Sequence, residues 1–212
     1  MLNKTALARK IEIAAVFITA ILKWILVDGL GTRALFIPLA FAIWIFIIVI
    51  KSKQEKHFFK NSGFTLQNLK KPAIICLIAM VFGIGIQLLF GHFKQIEVNQ
   101  THLLIAILLY PIWGLLQQFI VMRFVAENLK FYGKNNLQII AITALAFGSV
   151  HIPNWPLFFA TFAMGLAFAL LYIRHKNLWP LGITHGVLGA FFYFYVLNED
   201  PIAQIIDQMN HL

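Results

Sequence analysis

Charge is what this chain has least of: Asp, Glu, Lys and Arg make up 12% of its 212 residues, while 60% are hydrophobic. One water-soluble core cannot hide that much apolar surface, which excludes an ordinary soluble globular class. Cysteine is nearly absent as well. Cys76 stands alone, so no intramolecular disulfide can form, and its usual part is that of a small core residue. Acidic side chains number 8 against 17 basic ones, and no sequence repeat, low-complexity tract or second domain breaks up the chain.

What the chain has instead is a series of apolar stretches, most of them of the length (about 17 to 25 residues) that crosses a bilayer as a helix. They fall at 11–27, 33–50, 72–90, 102–129, 137–152, 157–173 and 178–197. The expected fold is all-α, a polytopic membrane bundle of seven transmembrane helices forming one membrane domain over residues 1–212. Lys23 interrupts the first stretch, although a long lysine can snorkel to an interface while its stem stays in hydrocarbon. A cleaved signal peptide is the rival reading there, with Lys4, Arg9 and Lys10 as its basic region. No small-x-small cleavage site follows before Asp28, so a retained helix is expected.

Basic residues in short loops set the orientation. Residues 51–71 carry Lys51, Lys53, Lys56, Lys60, Lys70 and Lys71 against Glu55 alone, which makes this one sizeable soluble segment cytoplasmic. Threading seven crossings through that choice puts Lys4, Arg9, Lys10, Lys130, Lys134, Arg174 and Lys176 inside as well. Asp28, Glu97, Glu199, Asp200 and Asp207 fall outside, with the C-terminus. The net charge of +9 is thus a topology signal, reinforced by anionic lipid at the cytoplasmic face, and calls for no nucleic-acid partner. The sequence carries no signal for oligomeric state.

Polar residues at membrane depth are the informative ones, since each costs free energy unless it faces protein, water or a partner. They are Gln87, Gln117, Gln118, Arg123, His151 and His185. If the fourth helix runs on to Lys130, Gln118 lies roughly 18 Å from its cytoplasmic end, with His151 roughly 22 Å and His185 roughly 12 Å in from theirs. Three polar groups then meet near mid-membrane. Phe147 and His151 are four apart, as are His185 and Gly189, so each pair shares a helix face.

Together "QQFIVMR" (117–123), "FGSVH" (147–151) and "HGVLG" (185–189) resemble the three motifs of the CAAX prenyl protease and bacteriocin-processing family, often called CPBP or Abi. Those motifs run, in the same order, Glu-Glu-x-x-x-Arg, Phe-x-x-x-His and His-x-x-x-Asn or Asp. The linking "YIRHKNLWPLGITH" (172–185) also resembles the family's approach to its last motif, with Arg174 on one helix and Asn177 opening the next. The likeness covers about 105–195. It implies an all-helical intramembrane endopeptidase in which a glutamate activates water while two histidines and the final Asn or Asp polarise the scissile carbonyl; a metal-assisted version has also been argued. Carried over, the catalytic positions are Gln118, His151 and His185, supported by Gln117, Arg123, Phe147, Gly189, Arg174 and Asn177. The implied substrates are membrane-associated peptides or proteins, in CAAX processing, bacteriocin processing or self-immunity.

The departures fall on the chemistry. With Arg123 aligned, the first glutamate position is Gln118 and the second Phe119; with the Gln117–Gln118 pair aligned instead, the Arg arrives one residue late. An amide stands for the general base under both, and Gly189 replaces the final Asn or Asp. A neutral amide does not take a proton from water at a useful rate, because general-base catalysis needs a basic group of suitable pKa within reach. Glu127, nine residues after Gln118, lies close to the opposite helix face. A divalent metal such as zinc is not favoured, since His151 and His185 make two ligands where a catalytic zinc usually takes three from protein.

The expected class is therefore a divergent intramembrane peptidase; the alternative is a catalytically inactive pseudoprotease that binds peptides or scaffolds a membrane partner, and the second alternative a protein holding haem between His151 and His185. Each polar residue has a structural reading too. His151 precedes Pro153 and Pro156 and suits a helix end at the interface. His185 sits beside a small-xxx-small stripe of Gly182, Gly186 and Ala190 and suits an interhelical hydrogen bond, as do Gln117 and Gln118. Arg123 reads as a cytoplasmic charge, and Trp113, Trp155 and Trp179 as interfacial anchors.

Overall fold

The computed structural model describes residues 4–210, apart from the side chains of residues 4, 33, 34 and 208–210. Lys4, counted above among the cytoplasmic charges, thus has its side chain outside the described set. Every described element is helical: α1 Lys4–Lys23, prolonged by a π-helical turn Trp24–Gly29; α2 Arg33–Gln54; α3 Phe58–Asn61; α4 Lys70–Phe93; α5 Gln100–Val121, running through a π turn Met122–Ala126 into α6 Glu127–Phe131; α7 Asn136–Ser149; α8 Trp155–His175; α9 Trp179–Tyr195; and α10 Pro201–Asn210. Each of the seven expected spans overlaps one of these helices.

Among the described residues, four helices are long and apolar enough to cross a membrane: Leu35–Gln54, Lys70–Phe93, the unbroken Gln100–Phe131 and Trp155–His175. The protein is on this evidence an integral, multi-pass membrane protein. Only 11% of the α2 and α4 windows is buried, so Ile74, Leu77, Ile78, Val81 and Phe82 present their apolar surface outward, as lipid-facing residues do. The other three expected spans are helices of a different kind. α1 carries Arg9, Lys10, Glu12 and Lys23, while α7 has 14 residues and α9 has 17.

Local chemistry sets the ends. α7 opens on a capping box in which Gln138 N donates to Asn135 Oδ1 (2.9 Å) and Asn135 N donates to Gln138 Oε1 (3.2 Å). Asn154 caps α8 by accepting from Leu157 N at 3.0 Å, with Pro156 in the first turn, where a missing N–H costs nothing. α8 stops where Lys176 turns left-handed at φ 47°.

The chain folds into two compact units, residues 1–64 with 119–176 and residues 65–118 with 177–212. In the first, α7 and α8 form a hairpin whose glycines admit close contact: Gly148 lies under Phe158 and Phe162, and Gly165 against Ala144 and Phe147. Residues 55–64 are no free loop there. Phe58 and Ser62 are buried, Tyr172 donates to the carbonyl of Ser62 (3.0 Å), and Phe58, Phe59 and Phe64 all pack on Phe119. In the second unit α4 lies along α9, with Gly83 against Leu188, Gly91 against Tyr195 and Cys76 hydrogen-bonded to Thr184. Trp155 and Trp179 open their helices and are exposed, whereas Trp113 stands within the helix from Gln100 to Phe131.

Candidate active site

Within the second unit, glycine brings α5 and α9 together. A Cβ on Gly114 would collide with the backbone of Gly182 and Gly186, one on Gly182 with Leu115, and one on Gly186 with the backbone of Tyr110 and Pro111. The stripe of small residues thus lets two backbones touch, as its spacing suggests. One turn further along α5, that approach sets Gln118 against His185: Gln118 Nε2 and His185 Nδ1 are 3.5 Å apart, at the long limit of a hydrogen bond. The imidazole also donates to the backbone carbonyl of Gly114. Both side chains are buried, Gln118 fully so, and its Oε1 has no hydrogen-bond partner in the protein. Gln117 beside it is half-buried.

One turn beyond His185 the packing changes character. A Cβ on Gly189 would meet nothing within 4 Å, so the position where the family motif carries Asn or Asp has open space and no polar group. Asn177, in the same unit, is buried and holds the chain ahead of α9: its Nδ2 donates to the carbonyls of Thr65 (2.7 Å) and Gln67 (3.1 Å), and its Oδ1 accepts from Trp179 N (3.2 Å). At the other end of α9, His102 Nδ1 and Asp200 Oδ2 pair at 2.6 Å. Asp200 also caps α10, accepting from Ile202 N and Ala203 N. Burial pushes its carboxyl up, but those N–H donors and the neighbouring His102 outweigh that and hold it below the ordinary carboxylate range.

The remaining sequence-derived positions belong to the first unit. His151 lies two residues past the end of α7, in the turn that leads to α8, and its ring meets Phe147 edge-on with centroids 5.9 Å apart, which fits the four-residue spacing. Its carbonyl accepts from Asn154 N at 2.9 Å, so the helix end at 151 is real and the helix stops earlier than its apolar run. Arg174 is exposed in the last turn of α8. Arg123 is buried in the π turn, paired with Glu55, and its guanidinium lies 5.1 Å above the Phe58 ring.

Among the buried polar residues that sequence reasoning passed over, Asn128 is the most connected. It is wholly buried and joins three partners: its Oδ1 accepts from Arg9 (2.9 Å) while its Nδ2 donates to Glu12 (2.8 Å) and to the carbonyl of Phe124 (2.9 Å). An asparagine inside an otherwise apolar helix was the available signal. The carboxylates have engagements of their own, Glu12 with Lys51, Asp28 with Lys23, Glu55 with Arg123 and Glu127 with Lys176.

The described residues do not fit a catalytic metal. Among the described residues no three of His, Cys, Asp or Glu gather closely enough to hold one, and the neighbour of His185 is an amide. Haem ligation asks for an imidazole nitrogen aimed at iron, whereas the ring of His185 is engaged by Gln118 and Gly114.

A family profile described as Type II CAAX prenyl endopeptidase Rce1-like matches residues 98–191, from just before α5 to within the last turns of α9. Neither a curated protein nor a solved structure matches the chain.

Proposed function

We propose that this chain, similar over residues 98–191 to the Rce1-like type II CAAX prenyl endopeptidases, binds membrane-associated peptides without hydrolysing them by the glutamate route. The observation that carries this reading is the contact of Gln118 with His185, where the family motif would place its first glutamate. Hydrolysis needs a group that takes a proton from water as the nucleophile forms. Gln118 offers hydrogen bonds and no such base. Gly189 withdraws the polar group that would steady the scissile carbonyl.

What the pair keeps is recognition. The unused acceptor Gln118 Oε1 is sealed in the protein, a condition that costs about 1–3 kcal/mol until a donor such as a peptide N–H reaches it. The protein acts as one membrane domain of seven crossings, with the N-terminus and residues 51–71 cytoplasmic and the C-terminus outside. Lys51, Lys53, Lys56, Lys60, Lys70 and Lys71 support that orientation.

Binding of a fluorescent, lipid-anchored peptide to the full chain in nanodiscs tests the proposal. Gln118→Leu and His185→Leu should each weaken binding about tenfold, the upper worth of a neutral hydrogen bond. Equal affinity in the wild type and both variants would remove the pair from the site.

A further inference from the structure

A second polar site lies in the first unit, away from any family motif except Arg123. Thr5, Arg9, Glu12, Lys51, Glu55 and Arg123 line one cavity of about 120 Å³. They come from α1, from the end of α2 and from the π turn.

The charges in this cavity do not cancel. Lys51 is paired with Glu12 and Arg123 with Glu55. Arg9 has only neutral partners: its Nη1 donates to Asn128 (2.9 Å), its guanidinium lies 4.3 Å above the Phe131 ring, and no described carboxylate comes within ion-pair distance. Glu12 cannot turn to it, since its other oxygen accepts from Asn128 at 2.8 Å. Arg9 Nε is sealed from solvent without an acceptor. Three cations therefore face two carboxylates, leaving one positive charge for a ligand to neutralise.

Position and chemistry identify the ligand. The apolar span of α2 ends at Gln54, so the cavity sits where the hydrocarbon stops and headgroup phosphates begin. We propose that this cavity binds a singly charged phosphate group, that of a phospholipid headgroup, with Arg9 as its principal ligand and Lys51 and the Thr5 hydroxyl beside it. A phosphodiester carries one negative charge, which matches the surplus. Such a site differs from the diffuse attraction of a basic loop to anionic lipid, because it holds one lipid and depends on one arginine.

Native mass spectrometry of the full chain, released from nanodiscs containing phosphatidylglycerol, is the test. The wild type should retain one lipid. Arg9→Gln should bind at least tenfold more weakly, Glu12→Gln several-fold more tightly because it removes an anion, and Lys10→Gln, an exposed neighbour of equal charge, unchanged. The thermal midpoint in inorganic phosphate forms a second arm: a rise that Arg9→Gln abolishes, without lipid retention, would keep the anion site and assign it to free phosphate. Retention that ignores Arg9→Gln, equal losses in Arg9→Gln and Lys10→Gln, or no response in either arm would overturn the proposal. Glu12→Gln carries the test alone if Arg9→Gln does not fold, since a merely structural role predicts weaker binding there and the anion site predicts tighter.

Discussion

The two units hold their helices by different means. In the second, α5 meets α9 and α4 meets α9 through glycines, so backbone lies on backbone and the polar content is small: Gln118 with His185, Cys76 with Thr184, Asn177 with its loop. In the first, beyond the glycine contacts of the α7–α8 hairpin, charge and aromatic rings do more of the joining, through Arg123 with Glu55 and Phe58, Lys51 with Glu12, and Asn128 with Arg9. Glycine contact is the cheaper way to aim a side chain at membrane depth, since it asks for no buried charge. Ion pairs suit a segment that ends in water, where desolvation is partial.

If glycine contact positions the Gln118–His185 pair, the largest effect should come from filling it. Gly186→Leu would drive a side chain into the backbone of Tyr110 and Pro111, so no monodisperse folded protein should elute on size exclusion. Asn128→Leu comes next. It strips Arg9 and Glu12 of their common partner inside the first unit, and thermal or denaturant unfolding should show a loss of about 2–4 kcal/mol.

Asp200→Asn should cost less, at most about 1 kcal/mol, because the His102–Asp200 pair is partly open to solvent. The sign of its pH dependence follows from the depressed carboxyl. The stability it contributes is fully present above the ordinary carboxylate value near pH 4 and fades as pH falls further toward the folded-state pKa. An unfolding series through that window should therefore fall more steeply for the wild type than for Asp200→Asn. Smallest of all is Gly189→Ala, whose methyl meets nothing within 4 Å; its melting curve should overlay the wild type. A collapse at Gly189 equal to that at Gly186 would erase the contrast between the two glycines.

Much of this was legible in the chain because it is local or periodic. Apolar runs gave the helices, the four-residue step from Phe147 to His151 gave a ring contact, and the Gly182–Gly186 spacing gave the close approach to α5. Other features join residues far apart, and no periodicity reports those. Glu55 and Arg123 are 68 positions apart, and Arg9 and Asn128 are 119 apart. Asn177, whose side chain reaches back to Thr65 and Gln67, looked in the sequence like a residue of the approach to the last histidine. Helix ends were blurred for a related reason: hydropathy marks where hydrocarbon begins, whereas the helix ends where caps and turns satisfy the backbone, at Ser149 before His151 and at Phe131 beyond Arg123.

The most direct test of the central claim is turnover. Purified wild-type chain, reconstituted in nanodiscs with a lipid-anchored peptide that it binds, should release no cleavage product above a protein-free blank, as expected for an amide at position 118. Cleavage that His185→Ala abolishes would contradict the account and show that this chain hydrolyses peptides without the family's glutamate.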